Sequence, residues 1–246
     1  MADADDERFM RTRILLGDEG MARLKKARVM IVGLGAVGGY ALEALARAGI
    51  GELILVDFDS FDISNINRQI LALESTIGMK KTEAAKLRVA EINPACKVRL
   101  LDMFVNAETL PALLAEKPDF VIDAIDALNP KCCLIEALYQ AQIPFISSMG
   151  AALKTNPALI KYGKLSATKN CGLAKFIRKR LKKRGVDLGK IYCVSSEEQV
   201  DGGFIETESG ETAGGRVRNT LGSLPTITAI FGLTIANEAI KKICKI

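Results

Sequence analysis

The chain has 246 residues, 49% hydrophobic and 26% charged, with a formal net charge of +5, six cysteines and no histidine. That length and balance fit one large α/β domain or one domain with an appendage, and the small basic excess permits a polyanionic partner without demanding one. The missing imidazole excludes Ser-His-Asp and Cys-His catalysis and every histidine metal site, so proton transfer falls to Asp, Glu, Lys, Tyr, Cys, water or the substrate.

In chain order, the acidic start "MADADDERFM" lacks the basic n-region of a signal peptide, and a cytoplasmic protein is expected. Residues 8–26 read as a helical lead-in. "ARVMIVG" (27–33) is a continuous apolar run ending in glycine, as a buried parallel strand should be. Residues 36–48 have helical spacing, and "ELILVD" (52–57) is a second strand ending in an acid. A helix over 80–93 stops before Pro94, followed by a strand at 97–102, a helix at 107–116 and a strand at 119–126. A helix from Pro130 to 142 and a strand at 143–150 complete an alternation that predicts a Rossmann-like, doubly wound, mostly parallel sheet. Beyond 150, "ALIKYGKLSA" and "IYCVSSEE" read as further strands flanking a basic helix at 172–184. Residues 201–219 are polar and glycine-rich, as in a functional loop or linker. The run from Thr226 to Ile243 reads as a docked core helix, with a weak membrane-surface role as the lesser reading. Its clean apolar part is short of the ~20 residues a spanning helix needs. The expected division is a nucleotide-binding core over 8–150 and a substrate-side extension over 151–246, in one continuous domain.

"GLGAVG" places Gly33, Gly35, Ala36 and Gly38 between a strand and a helix, the context in which a G-x-G-x-x-G segment cradles phosphate on backbone N–H groups. Asp57 lies 19 residues past Gly38, where a ribose-binding acid belongs. The loop alone leaves NAD, FAD, S-adenosylmethionine and ATP open, and no P-loop signature is present. "DFDSFDISNINRQ" (57–69) narrows the choice. Asp57, Asp59, Asn65 and Arg68 crowd a segment where hydride transfer needs little charge, and Lys81 follows on "IGMKKT". Asp123 and Asp126 are expected at the end of the fourth strand, at the mouth of the sheet. Carboxylate, Mg²⁺, polyphosphate and cations form the electrostatic set of nucleotidyl or phosphoryl transfer. Each charge taken singly fits a solvated loop; their convergence on strand ends favours a site.

The motifs "RFMRTRILLG", "VGLGAVG", "DFDSFDISNINRQIL", "IGMKKTEAA", "INP" and "DAID" resemble the ubiquitin-activating-enzyme-like adenylating superfamily. The resemblance implies that the glycine loop cradles ATP, that Asp57 holds the ribose, that Asn65, Arg68 and Lys81 meet the phosphates, and that Asp126 coordinates Mg²⁺. It further implies a homodimer in which Arg11 reaches the partner subunit's site. The absence of paired C-x-x-C motifs argues against zinc and against the molybdopterin and thiamine branches. "DAIDALNPKCCLI", "IPFISSMGAALKTNP", "LAKFIRKRLKKRGV", "YCVSSEE" and "GSLPTITAIFGLTIANEAIKKI" resemble the tRNA threonylcarbamoyladenosine dehydratase branch, which implies ATP-dependent cyclisation of that nucleoside beside the tRNA anticodon. The other adenylating reading is activation of a ubiquitin-like sulfur carrier's C-terminus. The resemblance also admits a monovalent cation and sulfur-transfer partners. In this setting the basic run, with Lys175, Arg178, Lys179, Lys182 and Lys183, is expected to contact tRNA phosphates, its apolar Phe176, Ile177 and Leu181 docking one face. Cys193 is a candidate catalytic thiol, against the plain reading of a buried cysteine. Cys132 and Cys133 are expected in the core.

Overall fold

The computed structural model describes residues 7–200 and 221–246; the glycine-rich segment expected to be a loop lies outside them. Seven strands form one sheet in the order β3-β2-β1-β4-β5-β7-β6. They are β1 (Arg28–Val32), β2 (Glu52–Asp57), β3 (Lys97–Asp102), β4 (Phe120–Asp123), β5 (Phe145–Ser148), β6 (Ile160–Lys164) and β7 (Tyr192–Ser196). All neighbours run parallel except the edge strand β6, which pairs antiparallel with β7. The helices are α1 (Met10–Lys26), α2 (Gly38–Ala48), α3 (Lys81–Ile92), α4 (Leu110–Ala115), α5 (Leu128–Gln140), α6 (Gly172–Lys183) and α7 (Pro225–Cys244).

Alternation along the central strands sorts the core into two layers. Val29, Ile31, Leu53, Leu55, Ile122 and Ile146 face α2, α3 and α7, while Met30, Val32, Ile54, Val56 and Val121 face α4 and α5. Because both faces are covered, these strands are apolar throughout, as their sequences predict. A third cluster packs α6 through Ala174, Ile177 and Leu181 against Cys132, Ile135, Leu165 and Cys193. The chain runs outward from β1 to β3, then crosses back to β4. The β1/β4 boundary is therefore the topological switch point, where doubly wound sheets bind ligands.

Several boundaries differ from the sequence expectation. β4 ends at Asp123, because the Asp123 side chain accepts the Ile125 N–H at 3.1 Å and turns the chain out of the sheet. Asp126 consequently stands on an exposed loop rather than in a strand. β5 is trimmed to Phe145–Ser148. Helix α5 starts at Leu128, ahead of Pro130, since a first-turn proline forfeits no intrahelical hydrogen bond. In α1, Gly17 adopts φ 70°, ψ 173° and kinks the helix.

Helix α7 is the docked helix expected, with Ile227, Phe231, Ile235, Ala236 and Ala239 buried. A Cβ at Gly232 would lie 2.4 Å from the Val37 carbonyl oxygen and 2.8 Å from Tyr40 Cβ, so α7 meets α2 almost backbone to backbone. No described helix is long and apolar enough to cross a membrane, and the apolar face that a membrane-surface role would use is spent on the core.

Candidate active site at the carboxyl edge of the sheet

The glycine loop leaves β1 and turns into α2 at the switch point. Gly33 has φ 94°, and a Cβ there would lie 2.9 Å from the Ala124 carbonyl oxygen. A Cβ at Gly38 would lie 1.7 Å from the Gly33 carbonyl oxygen. Both glycines are thus required by the loop's packing on itself and on the segment after β4. Gly35 differs: the nearest group to its added Cβ is the Gln69 side-chain amide, at 3.8 Å. Its lack of a side chain keeps space open above the α2 N-terminus, the cradle a phosphate needs.

Asp57, at the end of β2, holds this loop. Its Oδ2 accepts the Leu34 N–H at 2.7 Å and its Oδ1 accepts the Asp59 N–H at 3.0 Å. Each carboxylate oxygen retains a lone pair for a ribose hydroxyl. The segment from Asp59 to Gln69 folds back towards the loop. Lys81 is buried, with Nζ 3.2 Å from Asp59 Oδ2 and 5.8 Å from the Phe61 ring centre. Asn65 closes a capping box with Asp62. Arg68 donates from Nη1 to the Ser64 carbonyl at 2.9 Å and to Asn67 Oδ1 at 2.7 Å, leaving Nε and Nη2 unpartnered among the described residues. Gln69 went unnoticed in the sequence although it follows Arg68 directly. It is buried beside Gly35, and its Oε1 has no hydrogen-bond partner among the described residues. An orphaned buried acceptor is expensive unless a ligand donor completes it.

Asp123 departs from its expected ligand-facing role. Its carboxylate turns inward and is fully buried, with Lys131 Nζ at 2.7 Å and the Ser147 hydroxyl at 2.6 Å on Oδ2. No sequence signal marks Lys131 as buried, since a lysine in the first turn of a helix reads as solvated. The pair fastens the start of the β4–α5 loop, which carries Asp126, to the inner sheet.

Cys193 is also corrected. It lies inside β7, in register with Ser147 of β5 and Gly163 of β6, in the cluster that holds Cys132 and Cys171. Burial pushes its thiol up to about 12, so the nucleophilic thiolate is scarce near neutral pH. Its side chain packs in that cluster. Cys132 is likewise buried, while Cys133 is half-buried.

The basic helix divides by residue type. Arg178 donates to the Thr168 carbonyl at 2.8 Å and to the Thr168 hydroxyl, so its guanidinium anchors the helix rather than standing free for RNA as expected. Lys175, Lys179, Lys182 and Lys183 are exposed, with no ion pair among the described residues. Arg11 is exposed on α1.

The model of the ThiF family matches residues 8–246. The chain belongs to the ThiF family. Its relatives in that family include the tRNA threonylcarbamoyladenosine dehydratase of Bacillus subtilis, 42% identical over 78% of this chain and 76% of that protein. The Escherichia coli protein of the same name is 35% identical over 98% and 95%. The crystal structure of the Escherichia coli dehydratase in complex with ATP superposes with a TM-score of 0.88 and 33% identity, covering 99% of this chain and 96% of that one. In this ThiF-family chain the match includes the second half, where α6, β6 and β7 lie.

Proposed function

We propose that this ThiF-family chain catalyses the ATP-dependent dehydration of threonylcarbamoyladenosine in tRNA. The carrying observation is the match to dehydratases along nearly the whole of both chains, rather than over the nucleotide-binding half alone. The threonine carboxylate attacks the α-phosphorus of ATP and releases pyrophosphate, leaving an acyl adenylate. The substrate's own carbamoyl group then closes on the activated carbonyl carbon and expels AMP, so one water is lost overall. Attack within one molecule has a large effective molarity, and no enzyme nucleophile is needed. That agrees with a chain without histidine and with Cys193 buried.

The Gly33–Gly38 loop receives the phosphates, with Gln69 completing its acceptor on a ligand donor and Asp57 on the ribose. Arg68 and Lys81 compensate charge on the triphosphate, where preorganised cations act most strongly. Ala36 in the glycine loop, Asn65 three residues before Arg68, and Asp126 complete the set. Mg²⁺ at Asp126 supplies further charge compensation when bound. A homodimer is supported by the surroundings of Arg11: Ile14 and Leu15 on the same helix are 77% and 83% exposed, an apolar stretch that a second copy would cover.

Mass analysis of tRNA nucleosides after incubation with ATP tests the reaction, the expected result being loss of one water from threonylcarbamoyladenosine. Arg68→Ala and Asp126→Ala should each abolish it. Pyrophosphate release driven by a carrier protein, with the nucleoside unchanged, would replace this reading with carrier activation. For the trans arginine, co-expressed Arg11→Ala and Asp126→Ala chains should recover about a quarter of wild-type activity, since mixed dimers hold one intact site. No recovery would place Arg11 in its own subunit's site.

A further inference from the structure

Helix α6 carries a group that phosphate contacts leave unused. The apolar residues that dock it are Ala174, Ile177 and Leu181. Its arginines are held by the protein: Arg178 by Thr168, Arg180 by Asn129 Oδ1, and the following Arg184 by Glu136 at 2.6 Å. Together these contacts fix the roll of the helix. The outward side presents Lys175, Lys179, Lys182 and Lys183, and Phe176 stands among them, 55% exposed. Residues three and four apart are neighbours on a helix surface, so Phe176 lies one turn from Lys179 and two turns from Lys183. The sequence pattern placed Phe176 with the docking residues; the structure puts it in solvent, beside lysines that have no ion pair among the described residues.

A single exposed phenylalanine is ordinary. Its setting narrows what can cover it. A second copy would have to bring the same lysines against these, which like charges oppose. A polyanion suits the lysines, and an unpaired base suits the ring. Bases in RNA loops are free to splay out and stack on aromatic side chains, whereas paired stems show proteins chiefly their phosphates and 2′-hydroxyls. We propose that Phe176 is a stacking platform for an unpaired base of the tRNA anticodon loop, flanked by phosphate contacts to Lys175, Lys179 and Lys183. The proposal rests on the tRNA reading above and adds a base contact to it.

The test uses the full chain and a threonylcarbamoyl-modified tRNA, titrated at several salt concentrations, with Phe176→Ala, Phe176→Leu and Phe176→Trp. Loss of one base–aromatic stack should weaken affinity about 5–150-fold in Phe176→Ala. Phe176→Leu should stay weak and Phe176→Trp should restore binding. The slope of log affinity against log salt should not move, because no phosphate contact is removed. Turnover at saturating tRNA and the KM for ATP should also hold. A 2-aminopurine placed in the anticodon loop should lose fluorescence on binding the wild type and keep it with Phe176→Ala. Wild-type affinity in Phe176→Ala, or full recovery by Phe176→Leu, overturns the stacking role. So does a changed sedimentation coefficient in Phe176→Ala, which would assign the residue to a contact between copies. Failure of the wild-type chain to bind tRNA at any salt would instead sink the function itself.

Discussion

Replacing Lys131 by methionine shortens the side chain by one heavy atom and removes its charge. In the native protein, Lys131 and Asp123 both have 0% side-chain exposure and sit 2.7 Å apart, with Ser147 and the Ile125 N–H on the remaining lone pairs. The substitution leaves the Asp123 carboxylate buried with two neutral donors and no cation. Breaking a buried pair from one side costs about 3–5 kcal/mol. For a domain of this size that is about 6–20 °C in melting temperature. The double variant Asp123→Asn/Lys131→Met removes both charges, so it should recover most of the loss. Denaturant unfolding of the four proteins gives the coupling energy, and ATP titration shows whether the β4–α5 loop keeps its shape. If Lys131→Met alone cost under about 1 kcal/mol, the pair could not be sealed from water in the way described. If the double variant were no better than the single, charge burial would not be the cause.

Other consequences follow from the same geometry. Glu43 on α2 is mostly buried. Burial alone would raise its pKa, but hydrogen bonds from Arg88 of α3 and Arg47 outweigh that and hold it below the ordinary glutamate value of 4.5. A depressed native pKa contributes stability that is fully present above the unfolded value and is lost as pH falls through the native one. Stability should therefore drop below about pH 4.5 more steeply in the wild type than in Glu43→Gln, as read by denaturant midpoints across acid pH. Cys193→Ala should keep dehydratase activity, and iodoacetamide at pH 8 should leave Cys193 unlabelled in the native chain; loss of activity with the fold intact would reinstate the thiol. Gln69→Leu should bind ATP more weakly yet unfold at slightly higher denaturant, because the orphaned acceptor costs about 1–3 kcal/mol in the empty site. Unchanged ATP affinity would remove Gln69 from the site.

The strands around the switch point were legible because both their faces are buried, so their sequences are apolar without interruption. Asp57 and the glycines were equally legible, since a loop that packs on itself leaves little freedom of residue type. Where the sequence misled, the deciding contact lay far along the chain or hinged on helix rotation. Asp123 looked like a ligand because it ends a strand in an acid pair; its inward turn depends on Lys131 and Ser147, neither marked by local pattern. Phe176 looked like a docking residue because it adjoins Ile177, yet one step is about 100° of helix rotation, enough to carry it into solvent. Cys193 was a candidate thiol from its place in the second half, against the plain reading of a buried cysteine; β6 and the cysteine cluster enclose it.

The near-touch of Gly232 with Val37 and Tyr40 ties the nucleotide loop to a distant part of the chain. The helix that follows the glycine loop is braced by α7, which lies far along the sequence. A chain truncated at residue 220 would leave Tyr40 and Ala41 uncovered on that side, and should hold no ATP. Equilibrium dialysis of chains truncated before and after α7 would show that dependence. Nucleotide capture then reports whether the two distant segments have met.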